Sequence, residues 1–272
     1  MSEILQLLRT ITRRLAKISN DAQTEAEIIL STLLGITRQD LYIRDQADIP
    51  TEQLEEIINR RIAREPLQYI LGEAYFMNLV LEVAPGVLIP RPETELLVEW
   101  ICRHAPHGAR VCDLGTGSGA IALAVAYERP DVKVIALEIS PDAVAIAERN
   151  RQRYQLNNVT IAISDLFAAV TGRFDVIAAN LPYIADDEYE TLQLEVKNYE
   201  PRLALTSGED GLELIRRAIA EAPDYLNPGG FLILELGESQ APAVLPLLDK
   251  FKDRKIIKDY SGHNRHIHAQ LQ

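Results

Sequence analysis

The chain of 272 residues is 47% hydrophobic and 25% charged, which is ordinary for a globular protein. Its length suits one large domain plus a small one. A formal net charge of −12 repels phosphate, so we expect no stable nucleic acid binding.

The sequence also bounds the cellular compartment. No apolar run approaches the length of a membrane span, and the start of the chain lacks a signal-peptide layout. The two cysteines, Cys102 and Cys112, fit a reducing compartment. We therefore expect a cytoplasmic protein without membrane association.

Residues 1–73 are predicted to form a small helical domain. Apolar residues at three-to-four spacing place one stripe on a first helix over residues 4–18. A second helix is predicted over 21–35, and a third over 51–64 with Thr51 as its cap. Because this segment lacks obvious catalytic groups, recognition of a partner is its expected role.

The rest of the chain alternates between strands and helices. Residues 74–87 are predicted to form a hairpin linker, after which the segment 88–95 (LIPRPETE) opens a helix. Candidate strands then cover 109–114, 132–138, 158–163, 174–179, 230–236, 253–259 and 265–271. Candidate helices cover 119–129, 140–154, 210–222 and 239–250. This order predicts an α/β, Rossmann-like fold with a mostly parallel sheet and an antiparallel edge hairpin.

A glycine-rich segment suggests a nucleotide-like ligand. Asp113–Ala120 (DLGTGSGA) follows a strand and opens a helix, so Gly115, Gly117 and Gly119 allow a tight turn with bare backbone. Glu138 ends the next strand and is placed to accept hydrogen bonds from ribose hydroxyls. This pattern alone fits NAD and S-adenosylmethionine about equally.

Three features favour S-adenosylmethionine. Asp113 adds negative charge, which suits a sulfonium better than a pyrophosphate. In Ser164–Phe167 (SDLF), Asp165 is placed to accept from an adenine amino group while Leu166 or Phe167 flanks the ring. The third feature is the segment Asn180–Tyr183 (NLPY), for which a hydride-transfer enzyme has no evident use.

The Asn180–Tyr183 segment follows an apolar strand and therefore lies at the carboxyl edge of the sheet, where such folds bind ligands. An amide, a pre-proline carbonyl and an aromatic ring can together grip a small planar NH2-bearing group.

Three histidines cluster near the end of the chain, at His263, His266 and His268. No cysteine or carboxylate pattern completes a metal site around them, so we interpret them as solvated strand residues and expect no metal.

These motifs together resemble the HemK-type protein-glutamine methyltransferases. DLGTGSG, LIPRPETE, SDLF, NLPYI, YEPRLAL and GEDGL match that family's pattern in order, over nearly the whole chain. The resemblance implies a class I S-adenosylmethionine-dependent methyltransferase with a seven-stranded sheet. It further implies methyl transfer to the glutamine of the Gly-Gly-Gln motif of class 1 peptide chain release factors. A monomer is expected, with a substrate-recognition domain at 1–73, the linker at 74–87 and the methyltransferase domain at 88–272.

The resemblance carries site roles onto matching positions. The implied catalytic residues are Asn180, Pro182 and Tyr183, with Leu181 joining them in binding substrate. The implied cofactor-binding residues are Asp113, Gly115, Thr116, Gly117, Ser118, Gly119, Glu138, Asp165, Leu166 and Asn180. Two of these positions depart from the family pattern: Leu181 stands where proline is usual, and Glu138 where aspartate is usual.

Other functions are also compatible with these residues. A ribosomal-protein glutamine, or an exocyclic base amine of nucleic acid, would use a similar loop. A non-catalytic S-adenosylmethionine-binding module and an NAD-dependent oxidoreductase are the remaining alternatives.

Overall fold

The computed structural model describes residues 2–46 and 48–272. It divides into two compact units, Met1–Gly72 with Gln193–Tyr199, and Glu73–Leu192 with Glu200–Gln272. The first unit thus includes a short piece from the middle of the chain.

The helices and strands are as follows. The helices are α1 (Glu3–Leu15), α2 (Ala22–Leu34), α3 (Thr51–Ile62), α4 (Leu67–Leu71), α5 (Glu95–His104), α6 (Ala120–Glu128), α7 (Pro141–Arg153), α8 (Leu194–Tyr199), α9 (Glu213–Tyr225) and α10 (Ala241–Val244). The strands are β1 (Glu73–Phe76), β2 (Leu79–Glu82), β3 (Arg110–Leu114), β4 (Lys133–Glu138), β5 (Val159–Ile163), β6 (Phe174–Ala179), β7 (Leu226–Glu235), β8 (Phe251–Lys258) and β9 (Asn264–Leu271).

The helical unit confirms the apolar stripe of the first helix. Ile4, Leu8, Ile11 and Leu15 are buried on α1 and share a core with α2 and α3. The prediction that Thr51 caps the third helix is wrong. Pro50 occupies the capping position, and Thr51 is the first helical residue, with its hydroxyl donating to the Ile49 carbonyl.

The second unit is built around one sheet. Over the described residues this sheet has seven strands in the order β5-β4-β3-β6-β7-β9-β8. β3 to β7 run parallel, whereas β9 pairs antiparallel with β7 and β8. From β3 the strand order continues to β4 on one side and to β6 on the other. The carboxyl ends of β3, β4 and β6 therefore meet at the point where the strand order reverses, which is the usual place for a ligand.

The hairpin predicted before this sheet is confirmed, with β1 and β2 antiparallel. Asn150 of α7 fixes it to the glycine-rich turn. Its Nδ2 donates to the carbonyls of Glu82 and Ser118, and its Oδ1 accepts from the Glu82 N–H. This fully buried amide was not singled out from the sequence.

Two predictions near the C-terminus are wrong. The helix expected over 239–250 is only the single turn α10 followed by a 3-10 turn, since Pro246 lacks the N–H that would continue it. The histidines are not all solvated: β9 is inside the sheet, so His266 is buried beside Glu235 and the His268 ring packs against Trp100 of α5. No helix among the described residues is long and apolar enough to cross a membrane.

Candidate functional site

A cavity of about 320 Å³ opens at the carboxyl ends of β3, β4 and β6, within the second unit. This volume lies at the lower end of the range of small-molecule sites. The turn after β3, the acid ending β4 and the loops after β5 and β6 all line it. Of the sequence-predicted site residues, those lining the cavity are Gly115, Thr116, Gly117, Ser118, Glu138, Asp165, Leu166, Asn180, Leu181 and Pro182.

The glycine-rich turn forms one wall of the cavity. Gly115, Gly117 and Gly119 have positive φ values of 68°, 56° and 89°, which side-chain-bearing residues rarely adopt. A Cβ on Gly117 would meet nothing within 4 Å, whereas one on Gly119 would lie 2.7 Å from Leu123. Gly117 therefore offers bare backbone to a ligand, and Gly119 allows close packing against α6.

Glu138 holds this turn in place. Its Oε2 accepts from the Gly117 N–H at 2.9 Å, and its Oε1 accepts from the Ser140 N–H at 3.0 Å. Each carboxylate oxygen keeps a second lone pair, so the side chain can still accept a hydroxyl from a ligand.

Asp113 does not line the cavity. It is fully buried beneath the turn, where its Oδ2 accepts from the Thr116 hydroxyl at 2.6 Å and the Ala122 N–H at 3.1 Å. Burial raises the pKa of Asp113 to about 7, against the lowering effect of those two hydrogen bonds. Asp113, which was predicted to bind the cofactor, thus stabilises the turn from behind and does not line the cavity.

The loop after β5 contributes Asp165 and Leu166. Leu166 has a φ of +44°, a strained value for a leucine, and the Ser164 hydroxyl donates to its carbonyl at 2.6 Å. Asp165 forms an ion pair with Arg217 of α9 at 3.0 Å. Arg217 also lines the cavity but was not predicted from the sequence.

The amide of Asn180 is held in a defined orientation. Its Nδ2 donates to the Thr94 hydroxyl at 3.0 Å, and that hydroxyl donates to Glu235 Oε2 at 2.7 Å. Thr94 lines the cavity, whereas Glu235, at the end of β7, is 1% exposed.

Tyr183 lies behind the cavity wall. Its hydroxyl is 3.4 Å from Glu235 Oε1, and its backbone carbonyl accepts from Gln240 Nε2 at 2.7 Å. Burial, reinforced by the Glu235 charge, raises the pKa of the Tyr183 hydroxyl well above its usual value. Tyr183 therefore stays protonated and is not positioned as a base.

The backbone after Tyr183 is fixed by the segment 205–211. The Ile184 N–H donates to the Leu205 carbonyl, and the Ser207 N–H donates to the Ile184 carbonyl. Gly211, with a φ of +73°, packs so closely that an added Cβ would lie 2.2 Å from the Tyr183 carbonyl oxygen. The GEDGL motif (residues 208–212) thus helps to fix the backbone at Tyr183.

Glu200 connects the segments LIPRPETE (residues 88–95) and YEPRLAL (residues 199–205) at the cavity. Its side chain is 1% exposed, and its carboxylate accepts from the Ile89 N–H at 3.3 Å and from Arg91 Nη2 at 2.5 Å. LIPRPETE and YEPRLAL are therefore tied to each other by this carboxylate. Sequence reasoning quoted both segments but assigned no role to Thr94, Glu200 or Glu235, because their partners are remote in the chain.

The departure at Leu181 has a packing counterpart. Its side chain is 5% exposed, and its Cδ2 lies 3.1 Å from the position that a Cβ on Gly115 would occupy. Leu181 therefore joins the floor of the cavity to the glycine-rich turn.

Comparisons with known proteins give the family and the fold of this chain. The PrmC N-terminal domain model matches residues 6–72, and the methyltransferase small domain model matches residues 92–198. The release factor glutamine methyltransferase of Geobacter sulfurreducens is 43% identical over 92% of this chain and 90% of its own. That of Coxiella burnetii is 38% identical over 99% of both chains.

Among solved structures, a methyltransferase from Pyrococcus furiosus has a TM-score of 0.54 over 81% of this chain and 98% of its own, at 24% identity, which shows the same fold. The predicted class I methyltransferase fold is thereby confirmed. Identity of about two residues in five across nearly the whole chain shows the family as well. The chain belongs to the release factor glutamine methyltransferases.

Proposed function

We propose that this chain transfers a methyl group from S-adenosylmethionine to the side-chain amide nitrogen of a release factor glutamine, the one in the Gly-Gly-Gln motif. Its relatives are named release factor glutamine methyltransferases. The observation in this chain that carries the proposal is the oriented amide of Asn180 at the cavity, since a fixed carbonyl oxygen is what a glutamine NH2 group needs as a partner.

The residues that line the cavity support this cofactor. Gly117 offers open backbone, and we propose that Glu138 accepts from the ribose hydroxyls while Asp165 and Leu166 contact the adenine amino group and ring. S-adenosylmethionine, when bound, supplies a methyl group already activated by the sulfonium. Asp113 acts indirectly, by holding the turn on which the cofactor lies.

The acceptor is positioned by the loop after β6. Asn180 Oδ1 and the Leu181 carbonyl accept the two hydrogens of the glutamine amide and aim its nitrogen at the methyl group. Pro182 stiffens the loop, and Tyr183 supports it from behind the cavity wall through its contact with Glu235. Positive charge develops on the nitrogen in the transition state, so both acceptors stabilise it. The N–C bond forms as the methyl–sulfur bond breaks, and one amide proton then leaves to water, so no positioned base is needed.

The charges around the cavity favour a protein acceptor over nucleic acid. Both lining arginines of the described chain are neutralised, Arg91 by Glu200 and Arg217 by Asp165. A phosphate backbone would need cations available for pairing.

We further propose that the helical unit recognises the release factor. The buried Arg61 joins Glu25 of α2 and Glu195 of α8 within that unit. These ion pairs lie inside the helical unit, and the exposed faces of the unit are the surfaces that we propose for docking. A cytoplasmic monomer remains our expectation.

Incubation of the protein with labelled cofactor and purified release factor tests the proposal. Mass spectrometry should find the label on the Gly-Gly-Gln glutamine, and the Asn180→Ala variant should transfer on the order of a hundredfold more slowly, as loss of a transition-state hydrogen bond does. Asn157→Ala, in an exposed turn away from the cavity, is the matched control. Label on RNA, on a ribosomal protein alone, or on no tested acceptor would overturn the proposal.

A further inference from the structure

Glu235 and Thr94 form a buried pair behind Asn180, in which Thr94 lines the cavity and Glu235 does not. Thr94 is 3% exposed and Glu235 is 1% exposed. They are 141 residues apart in the chain but joined by a hydrogen bond of 2.7 Å. Burying a carboxylate is costly unless it is hydrogen-bonded, so the bond from Thr94 helps to stabilise Glu235 in this position.

The number of protons on each group determines the direction of both hydrogen bonds. A threonine hydroxyl has one proton, and a carboxylate oxygen can only accept. The Thr94 proton is therefore committed to Glu235, which leaves the hydroxyl oxygen as an acceptor toward Asn180. Only the NH2 end of the Asn180 amide can meet that oxygen, and the 3.0 Å contact is to Nδ2.

The opposite end of the amide is then the carbonyl oxygen. An asparagine amide that is free to flip would present its NH2 group to an incoming glutamine for part of the time, and two NH2 groups cannot hydrogen-bond each other productively. Fixing the flip removes that unproductive orientation before the acceptor binds, which is the kind of pre-organisation that accelerates transfer.

The same carboxylate also reaches the far end of the loop. Its Oε1 lies 3.4 Å from the Tyr183 hydroxyl, and His266 Nε2 lies 3.6 Å from its Oε2. Neither His266 nitrogen has a hydrogen-bond partner in the described chain, so the imidazole fills space beside Glu235 more than it competes for its oxygens.

We propose that Glu235 is a positioning residue that acts through Thr94. By accepting the hydrogen bond from the Thr94 hydroxyl, it fixes the flip of the Asn180 amide so that Oδ1 faces the acceptor glutamine. This inference rests on the proposed function for the identity of the acceptor. The orientation of the amide, in contrast, belongs to the chain alone.

Thr94→Val is the direct test, because valine keeps the branched shape and removes the hydroxyl. We expect kcat for release factor methylation to fall roughly tenfold or more, as expected for one positioning hydrogen bond, with the cofactor Kd changed less than threefold. Thr94→Ser should recover most of the lost rate. Thr160→Val, in the exposed part of β5, is the control for the substitution itself. A Thr94→Val variant with unchanged kcat would overturn the proposal.

A double variant separates positioning from general structural damage. If Thr94 acts through Asn180, Thr94→Val should cause little further loss in an Asn180→Ala background, because interacting residues are non-additive. Equal losses in both backgrounds would contradict the proposal. Glu235→Gln, which keeps the size but removes one acceptor, should lower kcat in wild type and add little to Thr94→Val.

A readout without any acceptor protects the test from failure of the proposed function. With asparagine labelled by ¹⁵N, the Asn180 side-chain NH2 signal is identified by its loss in Asn180→Ala. It should shift in Thr94→Val and stay near its wild-type position in Thr94→Ser. If wild type methylates no release factor but the signal behaves this way, the acceptor assignment fails while the orientation stands. An NH2 signal unaffected by Thr94→Val would remove the orientation itself.

Discussion

The glycine-rich turn and the Asn180–Tyr183 loop line the same cavity but are held in different ways. The turn is fixed mainly by nearby chain, through backbone bonds to Leu137 and the Glu138 carboxylate, 21 residues from Gly117. The loop has backbone bonds to the segment 205–211 and depends in addition on remote side chains: Thr94 is 86 residues from Asn180 and Gln240 is 57 from Tyr183. The cofactor side thus depends on local backbone geometry, and the acceptor side depends on the completed tertiary structure.

Substitutions at two glycines, one on each side of the cavity, have the largest expected effects. Gly211→Ala would push a Cβ against the Tyr183 carbonyl and also force a positive φ, so we expect it to cost about 3 kcal/mol of unfolding free energy. Methyl transfer should fall on the order of a hundredfold, because displacing the loop by about 1 Å has that effect. Urea unfolding and steady-state kinetics measure the two quantities.

Gly117→Ala is the counterpart on the cofactor side. Its Cβ would meet no protein atom within 4 Å but would enter the cavity, so the cofactor Kd should rise about tenfold with little loss of turnover at saturation. Gly35→Ala, with a similar φ of 61° in the helical unit, controls for the backbone penalty alone. If Gly117→Ala slowed saturated turnover as much as Gly211→Ala, the division between the two sides would be wrong.

Asp113, on the cofactor side, makes the stability of the protein depend on pH. The folded carboxyl group keeps its proton up to a pKa of about 7, whereas the unfolded group loses it near 3.8. Between these values the unfolded state binds fewer protons, so the stability from this group falls as pH rises. We expect wild type to lose about 2 kcal/mol more than Asp113→Asn between about pH 5 and pH 6.5.

Urea unfolding of both proteins at each pH checks this prediction. Only the difference in slope matters, because the Asp113→Asn substitution changes the absolute stability at every pH. Parallel pH dependences for the two proteins would show that Asp113 does not titrate as its burial implies.

The Asp165–Arg217 pair carries the smallest expected effect. Asp165→Ala should raise the cofactor Kd about tenfold, the value of one hydrogen bond to adenine. Arg217→Ala should change it much less, and should cost less than about 1 kcal/mol of stability, because the pair is half exposed. Calorimetric titration measures both constants. A larger effect from Arg217→Ala would place that guanidinium, not Asp165, against the ligand.

The same contrast explains what the sequence could predict. On the cofactor side the strand and the glycines are contiguous, and the acid ends the next strand, so the sequence alone predicts that Gly115, Gly117 and Glu138 lie near one another; all three line the cavity. The position of Asp113 behind the turn was not anticipated, because a sequence shows that an acid is adjacent to glycines but not which way it faces.

On the acceptor side, Asn180 was found from its own motif, but its partners were not. Thr94 and Glu235 become neighbours only when β7 joins β6 in the sheet and the segment before α5 lies across the strand ends. His266 was misjudged for a related reason. An edge hairpin suggests exposed strands, yet β9 lies inside the sheet and β8 forms the edge on that side.

The most direct test of the central claim is a crystal structure of the protein with S-adenosylhomocysteine and a glutamine peptide from the release factor. We predict Asn180 Oδ1 within about 3.2 Å of the glutamine amide nitrogen, a hydrogen-bonding distance, with Nδ2 still on Thr94. An Asn180 side chain that turns away from the glutamine, or that faces it with Nδ2, would contradict the account.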